Sequence, residues 1–276
     1  MVTGGRVYCD ALGAPVHVPD RPARVVSLVS GVTEAICAMG CGHRIAGVSA
    51  YCHRYVPDLQ APVVGDYLTV DHERLADLKP DLMLLTTGVQ RALARKLSGA
   101  GYPVYVVPLP SSIHGVLENV MLVGGLLGEV EAARRLADAW TESLRAIRSS
   151  AGDRRVRVFA ELWFGKHVRV PGGLTFINDM IGFAGGINVF GEAAQAYMTL
   201  DPVDAAARSP DVWLLFSEPE YPVDGRALMR ERGWDRAMPG LRLVEAGVEP
   251  HRNMIHDGPS MVSAVQWLSE RIAECG

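Results

Sequence analysis

"EVEAARRLADAWTESLRAIRSSAG" (residues 129–152) decides how the rest of the chain is read. From Glu129 to Ala151 it holds no glycine or proline. Val130, Ala133, Leu136, Ala137, Trp140, Leu144 and Ile147 make one apolar stripe, with charge on the opposite face. A helix here, rising about 1.5 Å per residue, spans roughly 33 Å, about the width of a small domain. Alternating strand and helix signals stop before this stretch and restart after it. The expectation is an α/β chain of two lobes with parallel-sheet cores, at 1–128 and 152–276. A single long backbone helix (129–151) joins them, with a ligand cleft between the lobes.

Outward from the helix, each lobe repeats the same grammar. After a hairpin-like opening that turns at Gly13, "RVVSLV" (24–29), "RIAGVS" (44–49), "DLMLLT" (81–86) and "PVYVVPL" (103–109) read as buried strands. Helices at "GVTEAICAMG" (31–40), "DHERLADLKP" (71–80), "QRALARKLSGAG" (90–101) and "SIHGVLENVMLVGGLLG" (112–128) alternate with them or close the lobe. Beyond Gly152, strands are expected at 155–162, 211–216 and 241–247, and helices at 175–186, 201–210 and 260–274. Strands that are apolar throughout argue for a parallel sheet covered on both faces. A local repeat links the halves: "DHERLADLKPDLMLL" (71–85) against "DPVDAAARSPDVWLLF" (201–216), an acid-started short helix, Pro-Asp, then a buried strand.

Bulk properties narrow the function. With 276 residues, 49% hydrophobic, 21% charged and a net charge of −4, the chain lacks the basic footprint of a nucleic-acid binder. No apolar run is long enough to span a membrane. "MVTGGRVYCDALG" reads as no leader, lacking a charged region, apolar core and cleavage site; the expectation is a cytoplasmic chain or one whose leader has been removed. Five cysteines (Cys9, Cys37, Cys41, Cys52, Cys275) make no CxxC; Cys37 and Cys41, four apart on a helix, suit buried thiols better than a disulfide.

No GxSxG, Walker loop, HExxH or dinucleotide fingerprint is present, so no catalytic residue is assigned and no enzyme is expected. Asp66, Asp71, His72, Glu73 and Asp77 crowd together, but Asp71, His72 and Glu73 on one helical turn point about 100° apart and do not converge. Asp71 reads as a helix cap and Glu73 as a first-turn acid, and no metal is assigned. His53, His167, His251 and His256 fall in loops or at strand ends; transition-metal binding through such histidines is the alternative reading. Aromatics gather in the same places: Tyr51, Tyr55, Tyr67, Trp163, Phe164, Tyr197 and Tyr221, suited to a bulky ligand with apolar and polar edges.

The ordered stretches "RPARVVSLVSGVTEAICAMGCGHRIAGVSAYC" (21–52), "VVGDYLTVDHERLADLKPDLMLL" (63–85), "GGLTFINDMIGFAGGINVF" (172–190) and "ARSPDVWLLF" (207–216) resemble the class III substrate-binding proteins of ABC importers. These carry vitamin B12, ferric siderophores or haem to a membrane permease. The resemblance implies a periplasmic or extracytoplasmic, non-enzymatic monomer with no cofactor, its ligand being cobalamin, haem or a ferric chelate. The vitamin B12 branch is most similar, through Tyr51–Cys52 and through Tyr67 before the "ER" helix. By matching position, Tyr51, Tyr67, Tyr197 and His256 hold the ligand. Glu73 docks the permease; its second-lobe equivalent falls near Val203, so Asp201 or Asp204 serves there. His53, Arg54 and Arg252 depart from the corrinoid pattern and would suit an anionic chelate through charge-assisted hydrogen bonds. A cytoplasmic sensor or store on the same fold is a third reading.

Overall fold

A computed structural model describes residues 4–153 and 155–274; Cys275 and the chain ends lie outside them. The chain packs as two compact units. One holds the residues up to Pro110, Gly115–Ala139 and Asp257–Pro259; the other holds Ser111–His114, Trp140–His256 and the chain from Ser260 onward.

In the first unit, β1 (Gly4–Cys9) and β2 (Ala14–Pro19) form the expected antiparallel hairpin. Then come β3 (Val25–Ser27), α1 (Ser30–Ala38), β4 (Ile45–Ser49), β5 (Val63–Gly65), α2 (His72–Leu78), β6 (Leu82–Thr86), α3 (Arg91–Gly99), β7 (Val104–Val107) and α4 (Ile113–Leu126). The five strands β5-β4-β3-β6-β7 are parallel throughout. Leu82, Met83, Leu84 and Leu85 are wholly buried, as a sheet covered on both faces requires. Asp71 caps α2 by accepting from the Arg74 amide at 3.0 Å, the role read from its position. The strand β5 escaped the sequence reading because it is three residues long and begins at an exposed Val63.

Helix α5 (Val130–Ala151) is continuous. Its stripe is buried at Ala133, Trp140, Leu144 and Ile147, but Val130, at the helix start, is exposed. The turn from α4 into α5 needs glycine: Gly128 has φ +70°, and a Cβ there would sit 2.4 Å from the Asp20 carbonyl oxygen.

The second unit contains β8 (Val156–Phe164), β9 (His167–Pro171), α6 (Phe176–Phe183), β10 (Gly186–Asn188), β11 (Tyr197–Met198), α7 (Pro202–Ala207), β12 (Val212–Ser217), α8 (Gly225–Glu231), α9 (Trp234–Ala237), β13 (Arg242–Ala246) and α10 (Met261–Ala273). Strands β10, β8, β12 and β13 are parallel; β9 and β11 extend the sheet antiparallel, so this core is mixed rather than purely parallel. The reading had no strand at β9 because "HVRVP" is short, half polar and lies toward the sheet's edge.

The repeat seen in sequence is a repeat in structure. Lys79 and Ser209, each with φ +46°, end α2 and α7 in the left-handed region, and a Pro-Asp follows. The Asp81 carboxylate accepts from the Ala23 and Arg24 amides, each at 2.9 Å; the Asp211 carboxylate accepts from the Arg157 amide at 2.8 Å. The arginine then returns its Nε to the carbonyl of the left-handed residue, Arg24 to Lys79 at 2.8 Å and Arg157 to Ser209 at 3.1 Å.

One ion pair lies inside the second unit. Glu161, 1% exposed, meets Arg232 with two hydrogen bonds of 2.7 and 2.8 Å. The Arg232 guanidinium lies 5.3 Å from the Trp213 ring centre and 4.8 Å from that of Trp234. Removing one partner leaves a buried charge, at a cost of about 3–5 kcal/mol. R232M is expected to lose stability on that scale in urea denaturation, and the double variant E161Q/R232M to regain much of it.

Candidate functional site

The carboxyl ends of β3, β4, β5 and β6 build one face of the first unit. The chain moves from β3 outward through β4 and β5, then crosses to β6, so the topological switch falls between β3 and β6. Ligands of open α/β sheets sit outside the strand ends at such a switch. Gln90, wholly buried, spans it: its Oε1 accepts from the Thr86 amide at 2.8 Å and its Nε2 donates to the Leu28 carbonyl at 3.1 Å.

Tyr51 follows β4 and Tyr67 follows β5. Their rings stack with centres 4.6 Å apart and planes 12° from parallel. Asp66 holds Tyr67 in place, its Oδ1 accepting from the Leu68 and Thr69 amides at 2.7 Å each; these bonds lower its pKa. Tyr67 is pushed up to about 12, chiefly by burial, against which a hydrogen bond with the Ser30 side chain works. The Arg54 guanidinium covers Tyr51 at 5.5 Å from its ring centre.

Beneath the stack lies a polar floor. Ser27, Thr33, Ser49 and Cys52 are all wholly buried; the Cys52 sulfur lies 3.1 Å from both the Thr33 and Ser49 hydroxyls, and Thr33 donates to Ser27 at 2.8 Å. Burial raises the Cys52 pKa, so the thiol stays protonated and unreactive. The thiols of Cys9, Cys37, Cys41 and Cys52 are free; Cys41 is buried as expected, but Cys37 is only half-buried, and α1 ends at Ala38, before Cys41, so the two do not share a helix.

The basic residues offered for an anion are engaged within the protein. A ring nitrogen of His53 lies 3.2 Å from the Ala61 carbonyl. Arg252 binds Glu249 with bonds of 2.9 and 2.6 Å, which draws the Glu249 pKa down to about 2. In the second unit, Trp163 donates to Glu161 at 3.0 Å and packs on the core, Phe164 lies 6.2 Å from Phe216, and His256 is buried. Tyr197 pairs with Pro171 on β11, along the sheet rather than at its carboxyl end. Among the described residues no three His, Cys, Asp or Glu come together to hold a metal, and no helix is long and apolar enough to cross a membrane.

The profile of the periplasmic binding protein family matches residues 25–238. The chain belongs to that family. An ABC transporter substrate-binding lipoprotein of Bacillus subtilis, YvrC, is 26% identical, with 95% of this chain and 84% of that protein aligned. A cobalamin-binding protein of Halobacterium salinarum is 28% identical over 74% of this chain; the match spans only 56% of that longer relative. Among solved structures, the apo form of the periplasmic heme-binding protein RhuT from Roseiflexus sp. RS-1 superposes with a TM-score of 0.77 at 25% identity, covering 91% of this chain and 98% of that one.

In this periplasmic binding protein, the structure brings together Tyr51 and Tyr67, both singled out in the sequence, with Gln90, Ser30 and Asp257 nearby, which were not. The only local signal for the last two was the Ser30-Gly31 pair directly after an apolar strand. The Tyr67 shift has a consequence for pH. An unfolded phenol titrates near 10, so the raised folded value adds stability that is complete below that pH and is lost as pH rises from 10 to about 12. Denaturation midpoints followed across that window should fall less steeply for Y67F than for the unaltered protein.

Proposed function

We propose that this chain is the solute-binding protein of an ABC importer, taking a corrinoid of the vitamin B12 type and handing it unchanged to a membrane permease. The carrying observation is the Tyr51–Tyr67 stack beyond the carboxyl ends of β4 and β5 in a parallel sheet. Nearby Arg54 lies on the Tyr51 ring, and Arg252 binds Glu249. Broad rings with hydroxyls at their edges suit a large macrocycle fringed by amides, and arginines already engaged add little for a carboxylate-rich chelate. Cobalamin-binding and vitamin B12-binding relatives that align over much of this chain support the same ligand class. The likeness to a haem-binding structure favours a second reading, in which the macrocycle is haem. The protein acts outside the cytoplasmic membrane, as a monomer, and performs no chemistry of its own.

Docking falls to exposed acids. Glu73 stands in the first turn of α2, two residues past its cap; the same step past Asp201, the cap of α7, is Val203. Asp201 already accepts from the Val203 amide at 2.9 Å, which leaves Asp204 as the first-turn acid to pair with a permease arginine.

Calorimetric titration with cyanocobalamin should show one-to-one binding, weakened at least about tenfold in Y51A and Y67A, equivalent to roughly 1.4 kcal/mol. No saturable heat with cyanocobalamin, hemin or a ferric siderophore would sink the proposal. E73R should keep its ligand affinity within about twofold and lose delivery to the permease in proteoliposomes, since rim charges govern encounter more than ligand burial.

A further inference from the structure

Residues Asp257–Pro259 pack with the first unit although the chain on either side belongs to the second. They lie on the start of α1. A Cβ on Gly31 would sit 2.4 Å from Asp257 Oδ1 and 2.9 Å from the backbone of Asp257 and Gly258, so only glycine lets the segment come this close. Helix α1 has no acid in its first turn and no side-chain cap at Val29, so Asp257, although remote in sequence, brings a carboxylate to its amino end. The positive end of the helix favours the ionised form there. The same carboxylate is felt at Tyr67, whose hydroxyl shares a hydrogen bond with Ser30 and whose ring carries the stack with Tyr51.

We propose that Asp257 is a specificity-determining residue of the ligand face: its carboxylate, fixed against Gly31 beside the Tyr51–Tyr67 stack, selects for macrocycles fringed by neutral amides and against those that present carboxylates. The inference rests on the ligand-binding reading of this face. A fixed charge at a partly desolvated rim acts over several ångströms, and a ligand carboxylate brought near it meets like-charge repulsion. An amide-fringed corrinoid meets no such penalty. Cyanocobalamin and hemin are both broad macrocycles that differ in this respect, so their affinity ratio reports the effect.

The test is to titrate the full chain and its D257N variant with cyanocobalamin and with hemin, at low and at high salt. D257S is carried in parallel in case the amide perturbs the segment. Removing the charge should tighten hemin about tenfold and leave cyanocobalamin within about twofold, so the ratio narrows by about an order of magnitude. Salt should tighten hemin in the unaltered protein, by screening the repulsion, and should do so far less in either variant. If the unaltered protein binds a macrocycle but the ratio and its salt dependence are the same in both variants, the Asp257 inference is overturned and the binding function stands. If none of the proteins binds either ligand, the ligand-binding reading falls, and the inference falls with it.

Discussion

Asp81 and its counterpart Asp211 hold the architecture at its amino edge. The carboxylate takes up amides at the entry to the neighbouring strand, two at Asp81 and one at Asp211, and the aspartate's own amide returns a bond to that strand: Asp81 to the Arg24 carbonyl at 3.0 Å and Asp211 to the Arg157 carbonyl at 2.8 Å. Hydrogen bonds to an ionised acceptor contribute about 1.5–3 kcal/mol each, more than a neutral pair. Their larger effect is on register. With β3 set against β6 at Val25 and Leu82, and β8 against β12 at Val158 and Val212, the height of every loop at the opposite end follows. Slipping one strand by one residue would turn its buried side chains to the wrong face and carry the loops at its carboxyl end with it.

The preceding residues serve the same end. Lys79 and Ser209 take a left-handed backbone that L side chains rarely adopt, and the proline after each cannot continue a helix. A short helix stopped abruptly delivers the aspartate directly to the strand start. The sequence repeat between 71–85 and 201–216 therefore records a structural joint used once in each unit, and the acids that cap α2 and α7 belong to the joint. Glu73 and Asp204 are additions to it, exposed acids in the first turns of α2 and α7, while Asp71 and Asp201 are occupied by caps.

What could be read from sequence was chemistry confined to neighbours in the chain. Asp71 announces its helix because a cap bonds an amide three residues on. The stripe of α5 shows in the chain because helical period alone sets it. Tyr51 and Tyr67 were legible as aromatics after strands, but their stacking was not, since it depends on β4 and β5 being neighbours, and β5 is three residues long. Gln90 bridging to Leu28 and Asp257 seated on Gly31 were beyond reach, because nothing local to either residue differs from a solvated loop. The partners of Trp163 and Arg252, Glu161 and Glu249, lie only two and three residues away, yet these pairings were not legible either, because they depend on how the backbone turns.

The buried hydroxyl and thiol cluster under the aromatic pair bears on how affinity arises. Ser27, Thr33, Ser49 and Cys52 satisfy one another in a space where an apolar residue would pack without directional demands. Such a network fixes geometry, because each member left unpaired would cost about 1–3 kcal/mol. It fixes the end of β4 against the first turn of α1, and so sets where Tyr51 begins and where Ser30 meets Tyr67. The rings are therefore stacked and oriented before a ligand arrives, and the side-chain entropy usually lost on binding, about 0.5–1.5 kcal/mol per immobilised group, has been lost in folding. Order established in folding in this way lowers the entropic cost of any contact the rings go on to make.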